Sequence, residues 1–138
     1  MFLSGTFEHT LDAKNRLTLP AKFRAQLTNK VFVFRGDDPC LTVFPESSWE
    51  AAVQEMIGDT RTLSREGRRK NRKYYAFADG IELDAAGRMV LNAIQLRHAH
   101  IEGRDVIVTG TGDSLEVWNP ENWAKFEAEL READEDED

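Results

Sequence analysis

The sequence has a single cysteine, Cys40, so it cannot form an internal disulfide. Cys40 reads as a small buried residue at the start of a strand. No apolar run approaches the length of a membrane span, and the opening Met1-Phe2-Leu3-Ser4 lacks a basic-then-apolar export pattern. With few thiols and no export signal, the expected compartment is a reducing cytosol. Metal-ligand spacing is missing as well. His9, His98 and His100 have no Cys or acid companions at ligand distance, and His98 and His100 are two apart, which splays them on a helix. There is no Gly-rich phosphate loop and no nucleophile motif. No metal, cofactor or small-molecule substrate is expected.

An excess of positive charge is also lacking. The formal net charge is −7, which at first argues against nucleic acid. The distribution reverses that argument. Residues 127–138 hold eight acids and one base, Arg131, so the tail alone carries −7. Residues 1–126 are left with 17 bases and 17 acids, and such charges can be segregated by face. Glu132–Asp138 has no apolar anchor and is expected to be disordered. Arg61 to Lys73 is the strongest positive cluster, with seven bases and one acid, Glu66; Gly67 is expected to interrupt any long helix there. The cluster reads equally well as a phosphate clamp or as a solvated helix face or subunit contact.

What the chain has is one short stretch used twice: Asp12-Ala13-Lys14-Asn15-Arg16 and Asp84-Ala85-Ala86-Gly87-Arg88. Each puts an acid four residues before an arginine, after a leucine and before an apolar run. Asn15 and Gly87 hold the same place and are the residue types that best accept positive φ. The stretch therefore reads as a tight turn in which the carboxylate grips the guanidinium bidentately and fixes its direction.

The surroundings repeat too. Phe7, His9 and Leu11 alternate into the first turn, as Ile81 and Leu83 do into the second. Strand Leu17–Leu19, then Pro20, lead into a two-turn helix Ala21–Leu27; Met89–Leu91, then Asn92 as a cap, lead into Ala93–Ala99. Hairpins follow at Val31–Phe34 with Leu41–Phe44, and at Val106–Val108 with Leu115–Trp118. Each ends in a helix opened by Pro45 or Pro120 and anchored by Trp49 or Trp123. The offset grows only from 72 residues at the turns to 74 at the tryptophans. This is an internal duplication, so a pseudo-twofold fold is expected.

"MFLSGTFEHTLDAKNRLTLPAKFR", the second "LDAAGR" and the endings "VFP" and "VWNPENW" resemble the MraZ family of transcriptional regulators, built from two SpoVT-AbrB-type repeats with a D-x-x-x-R motif each. The resemblance covers residues 1 to about 130. It implies a β-rich α+β fold, a pseudo-twofold AbrB-like barrel. Its parts would be repeat 1 at 5–47, a connecting helix and basic linker at 48–76, repeat 2 at 77–120, and a terminal helix and tail at 121–138. It implies a cytoplasmic, nucleoid-associated protein. It further implies a homo-oligomeric ring on double-stranded DNA with short direct repeats, upstream of the division and cell-wall gene cluster, typically repressing it. By position, Asp12, Arg16, Asp84 and Arg88 carry the signature.

Arg16 and Arg88 then read as direct DNA contacts, since arginine matches guanine O6 and N7 as well as phosphate. Asn15 and Gly87 shape the turns. Lys14, Lys22 and Arg24 are expected near the first turn as phosphate contacts. Asn92 stands where a proline is common in such repeats. A shared-proton aspartate pair is the rival enzymatic reading. It fails because no hydroxyl follows either aspartate and each has its own arginine, which keeps both ionised. The rival of another class is a ring scaffold that binds proteins through the basic linker and acidic tail.

Overall fold

Alternation of side chains along short strands sets two faces for every strand, and the hairpin strands at the centre of this chain bury most of both. The computed structural model describes residues 2–58 and 63–136; Arg61, Glu137 and Asp138 of the charge clusters lie outside them. The first half runs β1 (Thr6–Thr10), β2 (Arg16–Thr18), α1 (Ala21–Arg24), β3 (Lys30–Arg35), β4 (Cys40–Pro45) and α2 (Glu46–Ile57). Helix α3 (Arg65–Ala76) joins it to β5 (Ala78–Glu82), β6 (Arg88–Val90), α4 (Ala93–His98), β7 (Asp105–Gly110), β8 (Leu115–Trp118) and α5 (Pro120–Asp136). The fold is α+β with antiparallel pairing throughout.

Six strands form one sheet in the order β1-β7-β8-β4-β3-β5. Exchange each strand for its counterpart in the other half and the same order returns. The duplication is therefore built into the pairing. Each half lends its first strand to the other: β1 pairs with β7, and β5 with β3. The dyad passes between β4 and β8, and across the sheet between β2 and β6, which form a separate two-stranded ribbon.

The inner face of the sheet carries Val31, Val33, Leu41, Val43, Val106, Val108, Leu115 and Val117. It closes on Leu17 and Met89 of the ribbon and on Phe23, all of them buried. The outer face carries two aromatic clusters. Trp49 of α2 sits among Phe32, Phe34 and Phe44, with ring centroids 5.3, 6.0 and 5.3 Å away. Trp118 packs on Trp123 and Phe126 of α5. These rings are core anchors. Cys40 is buried at the head of β4, where burial and then the Glu116 carboxylate push its thiol up, away from ionisation.

Four local expectations are corrected. Helix α1 is a single turn, because Gln26 and Leu27 bond back three residues and tighten its end before the chain enters β3. Pro20, by type suited to the first helical position, stands instead at the cap with an extended ψ of 137°, as Pro45 does with 145° where it opens α2. Gly67 does not break α3. It lies in the first turn, where its N–H is taken by the Ser64 side chain at 2.9 Å, and that cap offsets the roughly 1 kcal/mol glycine costs in a helix. Finally, α5 stays helical through Asp136, where disorder is expected from Glu132; Glu127 and Arg131 pair at 2.7 Å one turn apart just before the acidic run. Asn92, in contrast, caps α4 as predicted. It forms a full capping box with Gln95, which also bonds Asp79 at 3.0 Å.

Candidate nucleic-acid interface

The two turns are near-copies. In the first, one oxygen of Asp12 accepts the backbone N–H of Lys14 and of Arg16, both at 2.9 Å. Its other oxygen accepts Arg16 Nε at 2.6 Å. In the second, Asp84 accepts the N–H of Ala86 at 2.9 Å and of Arg88 at 3.0 Å, and Arg88 Nε at 2.7 Å. Asn15 and Gly87 take φ of 58° and 75°, the left-handed values expected of them. The grip is not the bidentate fork expected. One carboxylate oxygen is spent on the backbone, so a single Nε bond aims the arginine. The terminal Nη groups of both arginines are then left without a hydrogen bond among the described residues.

This arrangement favours the charged carboxylate. The backbone N–H of Arg16 first, then its side chain and the N–H of Lys14, hold Asp12 down at about 2, below its usual 3.8; Asp84 is lowered by the same contacts from Arg88 and Ala86. A depressed folded value means that the turn's support is complete above the ordinary carboxylate pKa and is lost as pH falls through the folded one. Asp12 is therefore expected to stay ionised at pH 3, where most surface carboxylates are protonated. Carboxyl-detected NMR titration checks this, and an Asp12 midpoint near 3.8 would mean that the grip is not formed in solution.

The ribbon sets the arginines side by side. Leu17 opposes Met89 and both face the core, so their neighbours face out. Arg16 stands opposite Val90, and Arg88 opposite Thr18. The symmetry extends to the flanks: Leu91 N–H bonds Asn15 O at 2.9 Å, and Leu19 N–H bonds Gly87 O at 3.1 Å. The two arginines are diagonal neighbours, with Cα atoms about 7–8 Å apart. Thr18 and Val90 share the ribbon's outer face with the two arginines, and reading the turns alone passes over them. Their signal is the out-in-out pattern of Arg-Leu-Thr and Arg-Met-Val.

The other predicted residues divide. Lys14 and Asn15 are exposed in the first turn, and Lys22 is exposed at the start of α1, its Nζ 3.5 Å from Ser4 Oγ. Arg24 is not at the first turn. It crosses to the second, where its Nη2 donates to Ala85 O at 2.7 Å and its side chain lies over Gly87, burying that residue. A Cβ on Gly87 would collide with Arg24 Nε. The first turn has Asn15 at that place and is open.

The basic helix α3 is elsewhere. It packs on α2 and β5, and its Tyr74 meets Phe34 on the sheet face opposite the ribbon, at 5.7 Å between centroids. Lys73 is paired with Asp37 at 2.7 Å, while Arg65, Arg68, Arg69 and Arg72 are exposed. Among the described residues, no group of three metal-binding side chains occurs and no helix is long and apolar enough to cross a membrane.

A family model, "MraZ protein, putative antitoxin-like", matches residues 2–69 and again 75–138, one match for each half. Similar proteins carry the name transcriptional regulator MraZ. That of Lactiplantibacillus plantarum is 40% identical over 125 residues, covering 91% of this chain and 87% of its own. That of Symbiobacterium thermophilum is 37% identical over 128 residues, covering 93% and 91%. That of Thermomicrobium roseum is 37% identical over 134 residues, covering 97% and 92%. Matched in both halves and along nearly its whole length, this chain belongs to the MraZ family.

Proposed function

We propose that the chain is a DNA-binding transcriptional regulator whose DNA face is the β2–β6 ribbon with its two turns. One observation carries this. Two arginines, each aimed by its own aspartate, project from one exposed face across a pseudo-dyad. A two-stranded ribbon fits the major groove of B-DNA, and arginine is the side chain best matched to guanine there. The relatives are named for regulation and not for a reaction, in keeping with aspartates that are spent on turn geometry.

In this reading Asp12, Asn15, Asp84 and Gly87 hold the turns. Arg16 and Arg88 meet the DNA, since arginine matches guanine and phosphate alike, while Lys14, Lys22 and Arg24 meet phosphate. The strand exchange between the halves supports an AbrB-like barrel, with the ribbon closing one side of the sheet. One chain offers only two turn arginines. Useful affinity then needs several chains on several sites, which is the case for a ring on short direct repeats upstream of the division and cell-wall genes, repressing its own operon among them. Such a protein works in the cytoplasm, on the nucleoid.

Two measurements test this. Competition of labelled DNA from upstream of the chain's own gene against random DNA should show sequence preference, and its absence would favour a scaffold. Light scattering should give a particle several times 15.7 kDa. A stable monomer at micromolar concentration would remove the ring and the avidity with it.

A further inference from the structure

The dyad relates the two ends of the ribbon in backbone but not in chemistry. At the Arg16 end, the cross-strand neighbour is Val90, and α4 begins just beyond with Ile94 in its first turn. Both are unusually open for apolar side chains, at 53% and 52% exposure. At the Arg88 end their counterparts are Thr18 and Lys22, and Arg24 is laid over the turn itself. One end joins an arginine, with Lys14 in its turn, to two uncovered apolar side chains. The other joins an arginine to a hydroxyl and two more bases.

We propose that the ribbon has a direction on DNA: the Arg16 end reads base edges, with Val90 and Ile94 against the methyl group of a thymine, and the Arg88 end grips phosphate through Arg24 and Lys22. This rests on the ribbon being the DNA face. A thymine methyl is the one apolar group that the major groove offers, and a small branched side chain beside an arginine is suited to it. A water-facing valine on a polar ribbon gains by covering that methyl, as any apolar contact does. Arg24 cannot take the same part. Its Nη2 is committed to Ala85 O, which leaves its charge facing out beside Arg88 as a fixed phosphate partner. Swapping Val90 for Thr18, Ile94 for Lys22 and Asn15 for Gly87 therefore removes the twofold symmetry from the contact surface while keeping it in the fold. A face with a direction matches a site without a palindrome. Identical chains set side by side would then read the same sequence in the same sense.

The test uses the full-length protein and a duplex that it selects from a random-sequence pool. Each thymine is replaced in turn by deoxyuridine, which removes only the methyl. At least one thymine should lose about three- to fivefold in affinity on replacement, the worth of a buried methyl. That penalty should vanish in Val90→Ser or shrink in Ile94→Ser, which covers the case of a Val90 variant that does not fold. Arg24→Ala should weaken selected and random duplexes alike and reduce the salt dependence by about one phosphate contact. Tolerance of uracil at every position overturns the proposal. So does a penalty unchanged in both serine variants, or an Arg24→Ala loss confined to one sequence. If the parent selects no sequence at all, the DNA-binding reading itself fails, which is a different result from selection without methyl dependence.

Discussion

Arg16→Ala and Arg88→Ala should each abolish measurable binding to operator DNA while fold and particle size stay as in the parent. The stability cost is small because the pairs are surface pairs; Arg16 and Arg88 side chains are 28% and 34% exposed against aspartates at 36% and 39%. Such pairs contribute about 0–1 kcal/mol. The Asp backbone bonds that shape each turn also survive, because they come from N–H groups that alanine retains. In the proposed assembly the binding cost is large because it multiplies: at ~1–3 kcal/mol for each lost contact, several subunits on one operator would lose everything measurable. From the bases expected around it, the sequence makes Arg16 at least as important as Arg88. With Arg24 at the second turn the two ends are more evenly charged, and the variants should instead differ in kind. Arg16→Ala should cost more specificity, and Arg88→Ala more affinity for any DNA. Asp12→Asn is the informative companion: its amide oxygen can still accept the backbone N–H groups, but the charge that aims Arg16 is gone. Non-specific binding should survive while discrimination falls. If both arginine variants bind operator like the parent, the turns are structural and DNA lies against another surface, with α3 and its exposed arginines the first to examine.

Trp49→Ala should be among the most damaging single changes to stability. Trp49 is 7% exposed and is the ring that Phe32, Phe34 and Phe44 share, as well as the anchor of α2. Truncating a core tryptophan costs about 3–5 kcal/mol, against a total of roughly 5–15 for a domain. For a chain of this size that is a fall in melting temperature of about 10–20 °C. Trp123, its counterpart, is only half-buried and rests on two rings, so Trp123→Ala should cost clearly less. Thermal melts followed by far-ultraviolet circular dichroism separate the two. Equal losses would mean that the halves share their stabilisation evenly, contrary to the packing.

Much of this molecule is legible in one dimension because its signals are local. The acid four residues before the arginine, with Asn15 or Gly87 between, specifies a turn by backbone chemistry alone. The duplication is visible because element order and tryptophan spacing survive together. What cannot be read locally is pairing between halves. Nothing in Thr6–Thr10 says that its partner is Asp105–Gly110 and not the neighbouring Lys30–Arg35. Arg24 is misplaced for the same reason: it is near Arg16 in sequence, yet the ribbon carries α1 to the other turn. The bidentate grip fails on stoichiometry, since one carboxylate has two oxygens and the turn's own N–H groups occupy one of them. Gly67 and the acidic end of α5 are misread because propensity is weaker than a cap at one and outlasted by the preceding helix at the other.

The exchanged strands also set a timetable for synthesis. Thr6 bonds Thr109 across 103 residues of chain, and β1 has its only sheet partner among the described residues there. At about 5–20 residues per second, the first strand to leave the ribosome waits roughly 5–20 s for its partner to be made. During that wait Phe7 can already meet Phe23, but the backbone N–H and C=O groups of β1 lack their native partners. Nearly all of the second repeat must be translated before the first can close. The two repeats, so alike in sequence, are therefore not two folding units, and a messenger cut after the first would yield a chain that lacks the strand its own beginning requires.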